Sequence, residues 1–235
     1  MKADDLQHYL FDVETLKTKH SVIDLYKGLE IDFIPDVISP SDFASQLDYT
    51  IGSVHFVDKL PDGTPWEIDG VHSFFLEGYE KIFHSNIKDT LARYFELTRL
   101  MVTSSTPDII GHLDKIKIQN VEGKFFDETD RWYQDEVIKT LDIIRQYGGI
   151  IEVNTRGVYQ KKSTTPYPSP WILEHILKKN IPITLSSDAH HPSDLTNQFS
   201  ETTLLLSQIG FKTLTILHEG KWKPYSFNTH GIKIV

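Results

Sequence analysis

Asp188, Ala189 and His190 close an apolar run, Ile181-Pro182-Ile183-Thr184-Leu185, that has the composition of a buried strand between Asn180 and Pro192. A strand does not need a carboxylate and two imidazoles (His190 and His191) at its end in order to pack. Asp188 and His190 are ligand types for a divalent ion, and two residues apart at a turning strand end they can reach one cavity. A helix-capping reading of Asp188 stands beside this one. The same arrangement recurs upstream: Tyr26 to Leu29 leads to Glu30, Tyr49 to Val54 to His55, Ile109 to Gly111 to His112, and Ile150 to Val153 to Asn154. Each short strand-like run delivers a polar side chain at or near its C-terminal end. Parallel strands gather such ends on one face, where barrels of alternating strands and helices keep their chemistry.

Glu30, His55, His112, Asp188 and His190 form a set rich in oxygen and nitrogen, without sulfur. That donor set suits zinc, manganese or iron, and a carboxylate such as Glu30 can bridge two ions. Two adjacent divalent ions polarise a phosphoryl group for in-line attack. Arg156 lies two residues past Asn154 and shares its face if the strand continues, where it is a bidentate phosphate clamp. Lys161 and Lys162 read as solvated loop charges, His72 as a loop histidine and Asp32 as a cap or turn residue, although Asp32 can share the face of Glu30.

The elements that position these residues alternate. Leu6, Tyr9, Leu10, Val13 and Leu16 predict a helix over residues 4–19, and Val22 to Phe33 a strand. Leu47 to Val57 reads as the next strand, before the turn signal Pro61-Asp62-Gly63, and residues 58–73 read as an irregular excursion that holds Trp66, Asp69 and His72. Helical periodicity runs from 74 to 103, with a break near Ser85-Asn86. A short strand within 107–114 follows, then a helix from Asp130 to Tyr147 stopped by Gly148-Gly149, and a strand Ile150 to Asn154. Ser169-Pro170 starts a helix with a cap residue and a proline at the first helical position. After Pro192 come a helix over about 197–209, a last strand Leu214 to Leu217 and a short aromatic and basic tail. Strand followed by helix, several times over, predicts parallel α/β architecture.

A chain of 235 residues, 39% hydrophobic and 24% charged, can bury one substantial core, and residues 1–235 read as one domain. The net charge of −9 and the lack of a basic stripe argue against nucleic acid as partner. No cysteine is present, which excludes disulfides, thiolate metal sites and a cysteine nucleophile together. No apolar stretch approaches the roughly 18 to 20 residues of a membrane span, and the first residues lack the apolar core of a signal peptide. A cytoplasmic protein is the simplest reading.

Five segments in order, Gly28-Leu29-Glu30-Ile31-Asp32, Gly52-Ser53-Val54-His55-Phe56, Gly111-His112-Leu113-Asp114, Glu152-Val153-Asn154-Thr155-Arg156-Gly157 and Ser187-Asp188-Ala189-His190, resemble the histidinol-phosphatase branch of the polymerase and histidinol phosphatase (PHP) superfamily. The resemblance covers nearly the whole chain. It implies a distorted (β/α)7 barrel with a centre of two or three divalent ions that hydrolyses L-histidinol phosphate, a small phosphomonoester, in histidine biosynthesis. By the family pattern Glu30 bridges two ions, His55 and His112 complete one site, Asp188 belongs to a second and His190 to a third. Arg156, with Asn154 beside it, is implied at the substrate phosphate, and Asp188, His190 and Arg156 carry the chemistry. Family members begin with a strand bearing a His-x-His pair, and none precedes the opening helix here; His8 and His20 do not replace it. The chain is therefore expected to lack the first βαβ portion, which would leave open edges that favour a homo-oligomer. Two readings follow: a metal-dependent phosphomonoesterase, or a weakly active or non-catalytic barrel remnant that serves as a metal-binding or interaction module.

Overall fold

Helical spacing at the start of the chain becomes helix α1, Ala3–Lys19, the first element of the computed structural model, which describes residues 3–232. Leu6 is buried, but Phe11 and Leu16 on α1 are exposed, so only part of its apolar content meets the core. Strand β1 is Gly28–Asp32, shorter than the run from Val22 suggests. Its pairing with β2, Tyr49–Ser53, begins at Gly28 opposite Tyr49 and ends at Asp32 opposite Ser53. Just before it, the Asp48 carboxylate accepts the Lys27 main-chain N–H at 2.7 Å, which takes that group away from any ladder.

The expected irregular excursion after His55 is instead a hairpin. Strand β3, Phe56–Lys59, pairs antiparallel with β4, Pro65–Glu67, around the Pro61-Asp62-Gly63 turn. Trp66 is fully buried, and its indole N–H donates to the Phe74 carbonyl at 3.0 Å. Helices α2, His72–Lys81, and α3, Ile87–Ser105, are separated where expected: His84 and Ser85 take positive φ, and the Asn86 side chain accepts the N–H groups of Lys88 and Asp89.

The short strand β5, Ile109–Ile110, is followed by α4, Arg131–Tyr147, and β6, Ile150–Asn154. Gly148, at φ 94°, ends α4 in a conformation that a side chain would strain. After β6 come α5, Arg156–Tyr159, α6, Pro170–Lys178, β7, Ile183–Ser186, and α7, Phe199–Ile209. The five parallel strands lie in the order β1-β2-β5-β6-β7, so each new strand joins the one before it and all C-terminal ends open on one side. Every residue of β6 is buried, as a central parallel strand covered on both faces requires.

The strand expected last does not join this sheet. Strand β8, Thr213–His218, pairs antiparallel with β9, Lys221–Asn228, which also takes β10, Gly231–Ile232, so the tail is a small sheet of its own. The core lies between the parallel sheet and its helices, where Leu91, Phe95, Val137, Leu141 and Ile144 are fully buried. Burying one such leucine contributes about 1.5–3 kcal/mol. No described helix is long and apolar enough to cross a membrane.

Candidate metal centre

Glu30, His55 and His112 each offer a ligand atom, and these atoms lie within 4.8 Å of one another. Glu30 comes from β1, His55 from two residues past β2 and His112 from two residues past β5, three adjacent strands whose C-terminal ends share one side. The Glu30 Oε1 to His112 Nε2 distance is 3.0 Å, the two Nε2 atoms are 3.1 Å apart, and Glu30 Oε1 is 3.7 Å from His55 Nε2.

Neighbours fix each ligand. The Ser53 hydroxyl donates to Glu30 Oε1 at 2.7 Å, and a Cβ on Gly111 would lie 2.3 Å from that hydroxyl oxygen, so Gly111 keeps the serine on its carboxylate. His55 Nδ1 lies 2.6 Å from Asp32 Oδ1. With Nδ1–H donating there, the neutral ring turns its Nε2 lone pair toward Glu30 and His112, the carboxylate–histidine pairing that orients metal ligands. The buried Glu152 carboxylate accepts the His112 main-chain N–H at 2.8 Å.

The donor set fits a divalent ion. Two imidazole nitrogens facing each other at 3.1 Å beside a carboxylate are held this close only by a shared proton or a cation between them. Nδ1 of His112 is buried and has no hydrogen-bond partner among the described residues. Burial works against ionised Glu30, but the hydrogen bond and charge of His112, the charge of His55 and the Ser53 hydroxyl outweigh it and hold the carboxyl well below its usual range. Burial likewise opposes a charged His55, yet Asp32, Asp69 and Glu30 raise its pKa. A field that favours a proton at this place favours a metal cation too. Burial pushes the Glu152 carboxyl up, and the Glu30 charge adds to the rise.

Asp32 is thus more than the cap or turn residue that its position suggests. Asp32→Asn keeps the size and removes the charge, and should weaken zinc binding about 10–100-fold in competition with a chelator. Unchanged zinc affinity would return Asp32 to a structural role.

The other predicted residues stand across the same cavity of about 410 Å³, which Asp188, His190 and Arg156 line together with the triad. Asp188 has φ 48°, a left-handed turn that swings its carboxylate off the β7 direction; Oδ1 lies 3.8 Å from His190 Nε2. The expectation that Arg156 continues the strand does not hold. Thr155 adopts helical angles and starts α5, and Arg156 reaches the cavity from this helix, where Nη1 donates to the Asp188 carbonyl at 2.7 Å. Asn154, expected at the substrate, is fully buried: Oδ1 accepts the Arg156 N–H, and Nδ2 donates to Glu152 and to Asp188 Oδ2 at 3.3 Å. Its amide is spent on positioning Asp188 and Arg156. Ser169 has the position of a cap but makes no capping bond, because its hydroxyl accepts the Lys117 ammonium.

Sequence reasoning missed Asp69, Lys115 and Tyr167, which also line the cavity. Asp69 Oδ2 is 3.9 Å from His55 Nε2 and 3.7 Å from Lys115 Nζ. The signal for Asp69 was the alternation Trp66, Glu67, Ile68, Asp69, which is strand-like; Lys115 opens a short 3-10 helix, Lys115–Gln119, and Tyr167 lies outside any helix or strand, so neither carries a periodic signal.

This arrangement has relatives. The model of the PHP domain family matches residues 3–156. A probable histidinol-phosphatase of Deinococcus radiodurans is 28% identical over 233 residues, covering 95% of this chain and 80% of the relative. One of Schizosaccharomyces pombe is 24% identical over 220 residues, covering 90% and 69%. Among solved structures, the putative histidinol phosphatase of Listeria monocytogenes shares the fold at a TM-score of 0.74 and 18% identity, over 86% of this chain and 77% of that one. The histidinol phosphate phosphatase of Lactococcus lactis, in complex with zinc, L-histidinol and phosphate, does so at 0.59 and 18%, over 97% and 80%. With the ligand-bearing strands β1, β2 and β5 all inside the matched residues, the chain belongs to the PHP domain family.

Proposed function

We propose that the protein is a metal-dependent phosphomonoesterase that hydrolyses L-histidinol phosphate to L-histidinol and phosphate, a step of histidine biosynthesis. The observation that carries this reading is the convergence of Glu30, His55 and His112 in the cavity that Arg156, Asp188 and His190 also line. The choice of phosphomonoester is supported by the relatives, two of which are named probable histidinol-phosphatases.

Glu30, His55 and His112 would hold one divalent ion, and Asp188 and His190 would contribute to further ions beside it. Zinc is the first candidate, since the Lactococcus lactis protein was solved with it; manganese and iron accept the same donors. Such an ion supplies Lewis-acid charge for a phosphoryl oxygen and acidifies water. Arg156 binds a phosphate oxygen through the guanidinium edge not used by the Asp188 carbonyl, and this tether keeps its position fixed. Asn154 and Tyr159 brace the turn at Asp188: the Asn154 amide donates to its carboxylate and the Tyr159 hydroxyl donates at the Ser187 carbonyl, 2.9 Å away.

Phosphate release from L-histidinol phosphate by zinc-loaded or manganese-loaded protein tests the reading. Release should stop on chelation and return when the ion is restored. A loaded protein that frees no phosphate from this or any other phosphomonoester would overturn it.

A further inference from the structure

Phe56 and Glu67 of the β3–β4 hairpin, with Asp69 just past it, line the same cavity as Arg156. Strand alternation fixes its inner face: Trp66 and Ile68 are fully buried in the core, while Glu67 and Asp69 point the other way and line the cavity. Gln119 Nε2 donates to the carbonyls of Ile68 and Gly70 at 2.9 and 3.1 Å, which holds this stretch in place. Phe56 stands opposite Glu67 in the hairpin register and lines the cavity too.

A carboxylate at a phosphate-binding cavity repels the phosphate unless a cation answers it. Glu30 is answered by His112 and Ser53, Asp32 by His55, Asp69 by Lys115, and Asp188 by Arg156 and Asn154. The Glu67 side chain makes no hydrogen bond or ion pair with any described residue. A second mark of a ligand lies in the same cavity: Tyr167 is fully buried, lines it, and its hydroxyl finds no hydrogen-bond partner among the described residues.

We propose that Glu67, with Phe56 beside it, is the specificity element for the cationic, imidazole-bearing half of the substrate. Glu67 takes the positive charge, the Phe56 ring packs against the imidazole, and the Tyr167 hydroxyl completes a hydrogen bond to the same half. The proposal rests on the reading of the site as acting on L-histidinol phosphate. It adds the reason why an unpaired carboxylate faces an anion-binding cavity: the substrate carries both charges, and the cavity lining offers a group for each.

The test uses zinc-loaded protein with Glu67 and with Glu67→Gln, an isosteric change on a half-buried side chain. The ratio of kcat/KM for L-histidinol phosphate to that for p-nitrophenyl phosphate should fall about tenfold in the variant, chiefly through KM, as loss of a charge-assisted hydrogen bond implies. Calorimetric titration with L-histidinol should show a loss of affinity of about the same factor. A ratio and an affinity both within about twofold of the parent, or a parent that binds no L-histidinol, would overturn the proposal. If neither ester is hydrolysed, the phosphatase reading fails and the titration alone decides the role of Glu67. Hydrolysis of both esters with no effect of the variant leaves the phosphatase reading standing and removes this one.

Discussion

Replacement of His112 by alanine should cost the protein its ion at the triad and nearly all phosphomonoesterase activity. Glu30 and His55 would remain as two ligands where three protein groups and water make a catalytic-type site. The loss of affinity should exceed the roughly 10–100-fold expected when only an orienting partner is removed, because a ligand itself is gone. Folding should survive, since the bond to Glu152 comes from the main-chain N–H of residue 112 and not from its ring. Elemental analysis after dialysis and the rate of phosphate release, read with far-ultraviolet circular dichroism, check the prediction. A His112→Ala protein with the parent's metal content would remove His112 from the ligand set.

The second large effect concerns stability. Lys117 is buried and its ammonium lies 3.0 Å from Asp114 Oδ2, 2.8 Å from the Pro166 carbonyl, 2.6 Å from Ser169 Oγ and 3.1 Å from Thr165 Oγ1. Its charge also sits 4.9 Å from the centre of the Tyr167 ring. Asp114, fully buried, accepts the Ser169 N–H at 2.9 Å, so the pair ties the segment after β5 to the loop before α6. Lys117→Ala leaves a carboxylate buried without its cation and should destabilise the fold by about 3–5 kcal/mol. Replacing both partners, Lys117→Met with Asp114→Asn, should recover much of that loss, because no buried charge is then left unpaired. Denaturant midpoints measured on the three proteins decide the matter; equal midpoints for the parent and Lys117→Ala would show that the pair contributes nothing.

The triad was legible in the sequence because each ligand follows an apolar run by no more than two residues, and a parallel sheet brings such ends together whatever the loops do. Glu30, His55 and His112 depend only on strand order, and that order is sequential. Arg156 was legible as a residue but not as a geometry. Thr155 turns the chain into α5 at once, and nothing in Asn154-Thr155-Arg156 marks the end of the strand. The hairpin was hidden for another reason. With four and three residues, β3 and β4 are too short for a clear period, and the charged Asp58, Lys59 and Glu67 give the stretch the look of a loop. The β9 strand was masked by Pro224, which is tolerated because at that position β9 pairs on one side only, with Thr215 of β8, and β10 reaches no further than Phe227. Asp32 could be placed on the face of Glu30 from spacing, but its bond to His55 joins two strands, and pairing register is not written in either one alone.

The hairpin pairs with itself and not with the parallel sheet that supplies the ion ligands. Its tie to the ligand His55 runs through the main chain, where the Ile68 N–H donates to the His55 carbonyl at 2.9 Å, a bond that sets no side-chain identity. Along its two strands and just past them, positions 57, 66 and 68 are held by the core, whereas 56, 67 and 69 line the cavity and carry no packing duty of that kind. Phe56 and Glu67, free of that duty, are positions where a side chain can change what the cavity presents to an ester while the strands that carry Glu30, His55 and His112 stay as they are.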